Sequence, residues 1–107
     1  MIAAAICLGL YLLFVPGTAK LRSDCQQAAQ ARDWKSLERI ARRWTTVDPK
    51  SGESWLRLGE SLFRQRKYQQ ALECYKNVPQ SSPEAETAAM ALMELQFGPL
   101  NRPTDGA

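Results

Sequence analysis

Apolar side chains recur along residues 55–78 with the period of a helix. Trp55, Leu58, Gly59 and Leu62 stand at i, i+3, i+4 and i+7, which places them on one helical face. Gln65, Arg66 and Lys67 break that face. A second periodic run follows at Tyr68, Ala71, Leu72, Tyr75 and Val78, and Pro79 and Pro83 stop it. The pattern predicts two antiparallel helices, over about residues 53–65 and 68–78, joined by a tight turn.

The same arrangement occurs once before in the chain, at a constant offset. Leu21 aligns with Trp55, Cys25 with Gly59 and Ala28 with Leu62. On the second helix Trp34 aligns with Tyr68, Leu37 with Ala71, Ala41 with Tyr75 and Trp44 with Val78, while Pro49 aligns with Pro83. Side-chain sizes differ, but the order of small, large and proline positions is kept. The offset, about 34 residues, is the period of a stacked helix-turn-helix unit.

Trp55-x-x-Leu58-Gly59-x-x-Leu62, followed by Ala71, Tyr75, Val78 and Pro83, resembles the tetratricopeptide repeat family. Residues 52–85 carry the resemblance best. Residues 18–51 follow more weakly, with Asp24 where a large apolar residue is usual. Residues 86–98 look like a partial third unit with Ala89, Leu92, Met93 and Phe97 on its helix, and residues 99–107 form an irregular tail. The resemblance implies an all-α fold of antiparallel helix-turn-helix repeats forming a short right-handed solenoid, here preceded by a hydrophobic N-terminal helix over residues 1–17. Gly59 and Ala71 would let helices approach closely, and Trp55, Leu58 and Leu62 would fill the groove between them. Pro83 would end one unit and begin the next. Ala88, Met90, Ala91, Leu92, Met93 and Leu95 make the last helix apolar with no successor. The expectation is a longer array or burial of that face against another chain, including self-association through residues 86–97.

In this family the first helices of successive units line a concave groove that receives a peptide or a partner helix. Carried onto this sequence, the groove positions are Arg22, Gln26 and Ala29, then Leu56, Glu60, Phe63 and Arg64, then Met90, Glu94 and Phe97. The family's clamp for a C-terminal carboxylate needs Lys and Asn. Its places hold Arg22 and Gln26 in the first unit and Leu56 and Glu60 in the second, so that clamp is not expected. Glu60 and Arg64, four apart, equally form a helical surface pair, and Phe63 and Phe97 equally serve packing between units.

The chain opens with MIAAAICLGLYLLFV, then PGTAK. As a helix, residues 1–15 would span about 22 Å, less than the roughly 30 Å of a bilayer core. The leading expectation is a single-pass membrane anchor, with an exported chain cleaved near Ala19 and a buried helix as alternatives. No basic residue precedes the apolar run, and Lys20 and Arg22 follow it, which would leave the rest on the cytoplasmic side.

Charge and composition narrow the chemistry. Of 107 residues, 14 are basic and 11 acidic. The segment from Lys20 to Lys76 holds 13 basic and 7 acidic residues, while the remainder holds Arg102 against Glu84, Glu86, Glu94 and Asp105. Arg39, Arg42 and Arg43 form a basic cluster for which an anionic surface is a weaker alternative; nucleic acid is not an expected partner. The absence of histidine removes the commonest general base and a leading metal ligand. Cys7, Cys25 and Cys74 lack metal-ligand spacing, and Cys25 and Cys74 suit helix packing. No phosphate-binding glycine loop is present. The expectation is a non-catalytic scaffold without metal or cofactor, binding a protein or peptide.

Overall fold

A computed structural model describes residues 18–101. All regular structure among the described residues is helical. Helix α1 runs over residues 18–30, α2 over Trp34–Val47, α3 over Gly52–Arg64, α4 over Tyr68–Lys76 and α5 over Ala85–Phe97. A 3-10 turn, Pro99–Asn101, follows where an irregular tail is expected. The predicted pair 53–65 and 68–78 is thus α3 and α4. The second ends early because the Asn77 N–H donates to the Cys74 carbonyl (3.0 Å) and its side-chain amide to the Glu73 carbonyl (2.9 Å).

The turns after α1 and α3 repeat bond for bond. The N–H of Asp33 donates to the Ala28 carbonyl (2.9 Å) and that of Arg32 to the Ala29 carbonyl (3.1 Å). One unit later, Lys67 donates to Leu62 (2.8 Å) and Arg66 to Phe63 (3.0 Å). These nested bonds satisfy the last carbonyls of a helix when the residue after the cap is left-handed. That residue is Arg32 (φ 55°) in one turn and Arg66 (φ 64°) in the other, although glycine is the usual occupant.

After each turn the chain restarts. Asp33 caps α2, its carboxylate accepting from the Ser36 N–H (3.3 Å) and hydroxyl (2.7 Å). Hydrogen bonding from Ser36 holds the Asp33 carboxyl below the usual carboxylate range. Ser51 caps α3 by accepting from the Ser54 N–H (3.3 Å). Glu38, partly buried on α2, gathers Gln65 (2.8 Å), Lys67 (3.2 Å) and Arg42 (3.0 Å). Burial alone would raise its pKa, but these donors outweigh it and leave the carboxyl below its ordinary value. The turn after α3 is thereby fastened to α2.

The helices pack in chain order, α2 on α3, α3 on α4 and α4 on α5. Leu37, Ala41, Trp44, Leu58, Leu62, Ala71, Tyr75 and Val78 form one buried core with Cys25 and Ala28. Leu21, Trp34, Trp55 and Tyr68 pack against it at its margin. Pro49 and Pro83 do not pack; both are exposed. Pro49 instead supplies its carbonyl to the Trp55 indole N–H (2.8 Å). Core members beyond the periodic expectation are Ser54 and Ser61, whose hydroxyls donate to the carbonyls of Ser51 (2.8 Å) and Leu58 (2.7 Å). The Trp44 indole N–H is buried without a partner among the described residues.

On α5, Ala89, Met93 and Phe97 are exposed, Leu92 is partly buried against the core, and the buried residues are Ala88 and Leu95. Counted back by one unit, Ala88 and Leu95 occupy the places of the buried Ser54 and Ser61, while Ala89 and Met93 occupy those of Trp55 and Gly59. Helix α5 therefore keeps the register, buries one face and leaves open the face that on α3 is packed.

The membrane expectation is corrected. Among the described residues no helix is long and apolar enough to cross a membrane. Helix α2, with 14 residues, reaches about 21 Å at 1.5 Å per residue against a core of roughly 30 Å. The apolar segment 1–17, which carries the anchor expectation and the cleavage alternative, lies outside the described residues.

Left-handed backbone at a side-chain-bearing residue is unfavourable by about 1–2 kcal/mol, partly offset by the backbone entropy glycine loses on folding. Arg66→Gly should therefore stabilise the fold by about 0.5–1 kcal/mol in denaturant unfolding, and β-branched Arg66→Val should destabilise it by about 1 kcal/mol. Equal stability of all three proteins would contradict the role given to this turn.

Candidate groove between α3 and α5

A cavity of about 410 Å³ opens between α3 and α5. Helix α3 contributes Glu53, Leu56, Arg57, Glu60, Phe63 and Arg64; α5 contributes Thr87, Ala91 and Glu94; Tyr75 reaches in from α4. Helical spacing explains the set. Residues 53, 56, 57, 60, 63 and 64 recur every three or four positions along one side of α3. Thr87, Ala91 and Glu94 do the same on α5, at the places of Glu53, Arg57 and Glu60 one unit earlier.

Tyr75 enters through a gap that glycine leaves. A Cβ on Gly59 would lie 2.5 Å from Tyr75 Cε1 and 2.8 Å from its Cζ. The ring therefore rests on bare α3 backbone and extends to the cavity wall while remaining only 8% exposed. Burial first, then Glu60, Cys74 and Glu94, push its phenol up to about 12 despite Arg64. The hydroxyl has no hydrogen-bond partner among the described residues.

The charges along the groove are partly closed within the chain. Arg57 Nη1 meets Glu60 Oε1 at 3.1 Å, and Arg22 Nε of α1 meets Glu53 Oε1 at 3.0 Å. The Arg64 guanidinium lies 5.3 Å from the centre of the Trp34 ring, within cation–π range. Phe63 meets Tyr68 edge to face, with centroids 5.5 Å apart.

The structure brings together Leu56, Glu60, Phe63, Arg64 and Glu94 of the expected groove residues. Arg22 stands beside the cavity through Glu53, and Gln26 is exposed outside its lining. Met90 (60% exposed) and Phe97 (76% exposed) also lie outside that lining. Leu56 and Phe63, at the equivalent places of α3, face α5; Met90 and Phe97 have no described helix beyond them. Sequence reasoning missed Glu53, Arg57, Thr87 and Ala91, which the repeat register applied to both helices would have linked. It placed Tyr75 in the core alone.

Among the described residues no three His, Cys, Asp or Glu side chains gather as a metal site. Burial pushes the thiols of Cys25 and Cys74 each up to about 11, so both stay protonated at neutral pH. Of the basic cluster, Arg42 is held by Glu38 and by Gln70 (3.2 Å), while Arg39 and Arg43 are exposed.

No family model matches the chain, and comparison with curated proteins and with solved structures gave no match either.

Overpacking of the Gly59–Tyr75 contact costs about 1–3 kcal/mol, against about 1 kcal/mol gained in helix propensity by Gly→Ala. Gly59→Ala should therefore lower thermal stability by about 1 kcal/mol on balance. In a Tyr75→Leu background the same change should be neutral or stabilising. Equal effects in both backgrounds, read by calorimetry, would show that this contact does not set the helix spacing.

Proposed function

We propose that this chain is a non-catalytic binding module built as a short helical solenoid of the tetratricopeptide type, which receives a peptide or partner helix in the groove between α3 and α5. The observation that carries the reading is the combination of turn hydrogen bonds that recur in register with a cavity of about 410 Å³ lined from two in-register helices. Leu56 and Phe63 supply apolar wall, and charges at the rim orient a ligand. This mixture suits a protein segment more than a small polar metabolite.

The test is a selection of displayed random dodecapeptides on the folded protein, with the bound site mapped by amide chemical shifts. Enriched peptides should move the amides of Leu56, Phe63, Ala91 and Glu94. Phe63→Asp should weaken them at least tenfold while helicity is retained. Enrichment that maps elsewhere, or survives Phe63→Asp, would remove the groove from the proposal.

A second reading is favoured by one observation, the exposure of Met90 (60%), Met93 (57%) and Phe97 (76%) together on α5. Here that face associates with another copy of the chain. Sedimentation equilibrium should then show a dimer that Met93→Lys returns to monomer; a monomer at all concentrations would exclude this reading.

A further inference from the structure

The register sets the interval between α3 and α5 beside the one between α1 and α3, and the two close their charges differently. In the earlier interval Arg22 crosses from α1 to Glu53 of α3 at 3.0 Å; within α3, Arg57, which with Arg64 lines the later cavity, meets Glu60 at 3.1 Å. One unit later, Leu56 stands where Arg22 does, Ala91 where Arg57 does and Glu94 where Glu60 does. Both arginines have become apolar, while the carboxylate remains. Glu94 has no ion-pair partner among the described residues.

A second observation points to the same place. Tyr75, only 8% exposed, forms part of the cavity wall, and its hydroxyl has no hydrogen-bond partner among the described residues. It is the ring that is buried; the hydroxyl oxygen itself stays open to the cavity. With its pKa pushed up to about 12, it is a neutral hydroxyl at any physiological pH. Glu60, Glu94 and Arg64 lie within electrostatic reach of it, the two carboxylates outweighing the arginine. Of the three carboxylates in the lining, Glu53 is paired with Arg22 and Glu60 with Arg57, the second lining cation, Arg64, lies over the Trp34 ring, and Glu94 is left beside the Tyr75 hydroxyl and the small Ala91.

We propose that this cavity receives an arginine side chain of the bound peptide, its guanidinium donating to the Glu94 carboxylate and the Tyr75 hydroxyl oxygen above Ala91. The inference rests on the reading of this groove as a peptide site. Arginine fits better than lysine because a planar fork with five N–H donors serves two separated acceptors at once. The aromatic faces of Phe63 and Tyr75 complement a guanidinium plane. Leu56 and Phe63 leave apolar wall for the residues that flank it.

The experiment titrates the folded chain with Ac-Ala-Leu-Arg-Leu-Ala-NH2 and with the same peptide carrying norleucine or glutamate in place of arginine, following amide shifts. The arginine peptide should move Tyr75, Ala91 and Glu94 and bind about two- to fivefold tighter than the norleucine peptide, the range an exposed ion pair supports. Glu94→Gln should remove that difference. Ala91→Arg, which fills the place from within the chain, should weaken the arginine peptide without lowering the melting temperature. Equal binding of arginine and norleucine peptides at these amides would overturn the arginine inference and leave the groove reading standing. Tighter binding of the glutamate peptide would do the same. Absence of groove shifts with all three peptides at millimolar concentration would overturn both.

Discussion

The contact between Gly59 and the Tyr75 ring sets the geometry on which the second half of the molecule depends. A helix pair can approach only as closely as its facing side chains allow. With no Cβ on Gly59, the ring of Tyr75 lies against the α3 backbone at distances that a methyl group would occupy. The contact draws α4 onto α3 and turns the phenol toward α5. One missing atom on α3 thus accounts both for helix spacing and for a polar group in the groove wall. In the first unit the corresponding residues are Cys25 and Ala41, and no aromatic ring is delivered there.

The turns impose the second constraint. Two left-handed arginines at equivalent places in successive units close the same nested hydrogen bonds after α1 and after α3. Neither site has glycine, so each stores some backbone strain. Sequence alone gives no sign of this, because arginine is a good helix former and nothing in Gln65-Arg66-Lys67 marks a left-handed residue. The strain is offset on α2 by Glu38, which draws Gln65 and Lys67 inward from both sides of Arg66. A carboxylate on one helix and the following turn therefore act as a single fastening.

How much was legible follows from the same physics. Period and packing size located α3 and α4 to within two residues and named most of the core, from Leu37, Ala41 and Trp44 to Leu62 and Ala71, because burial on a helix obeys a fixed angular rule. The rule failed at α5, where nearly every position is apolar and no stripe stands out. There only the register distinguishes the buried Ala88 and Leu95 from the exposed Ala89 and Met93. Ser54 and Ser61 were illegible for the opposite reason: their hydroxyls donate to their own helix, so polar residues serve as small core groups. In the groove, Leu56, Glu60, Phe63, Arg64 and Glu94 were placed by the resemblance to tetratricopeptide repeats, which assigns first-helix positions to a groove. Glu53, Arg57, Thr87 and Ala91 emerge only when the register is applied to α3 and α5 together.

The two intervals between successive first helices then differ in a way that neither periodicity nor packing demands. The earlier is closed by the chain's own Arg22–Glu53 pair. The later keeps the carboxylate of Glu94 but replaces the equivalent arginines with Leu56 and Ala91. Stability alone gives little reason for this change, because exposed ion pairs contribute well under about 1 kcal/mol. The α3–α5 interval presents apolar wall at Leu56 and Ala91, and Glu94 is the carboxylate of its lining without an ion pair among the described residues. The register supplies the frame and the departures from it supply the cavity. A cavity can therefore open in one interval by the absence of internal ion-pair partners while the helices that frame it keep their register.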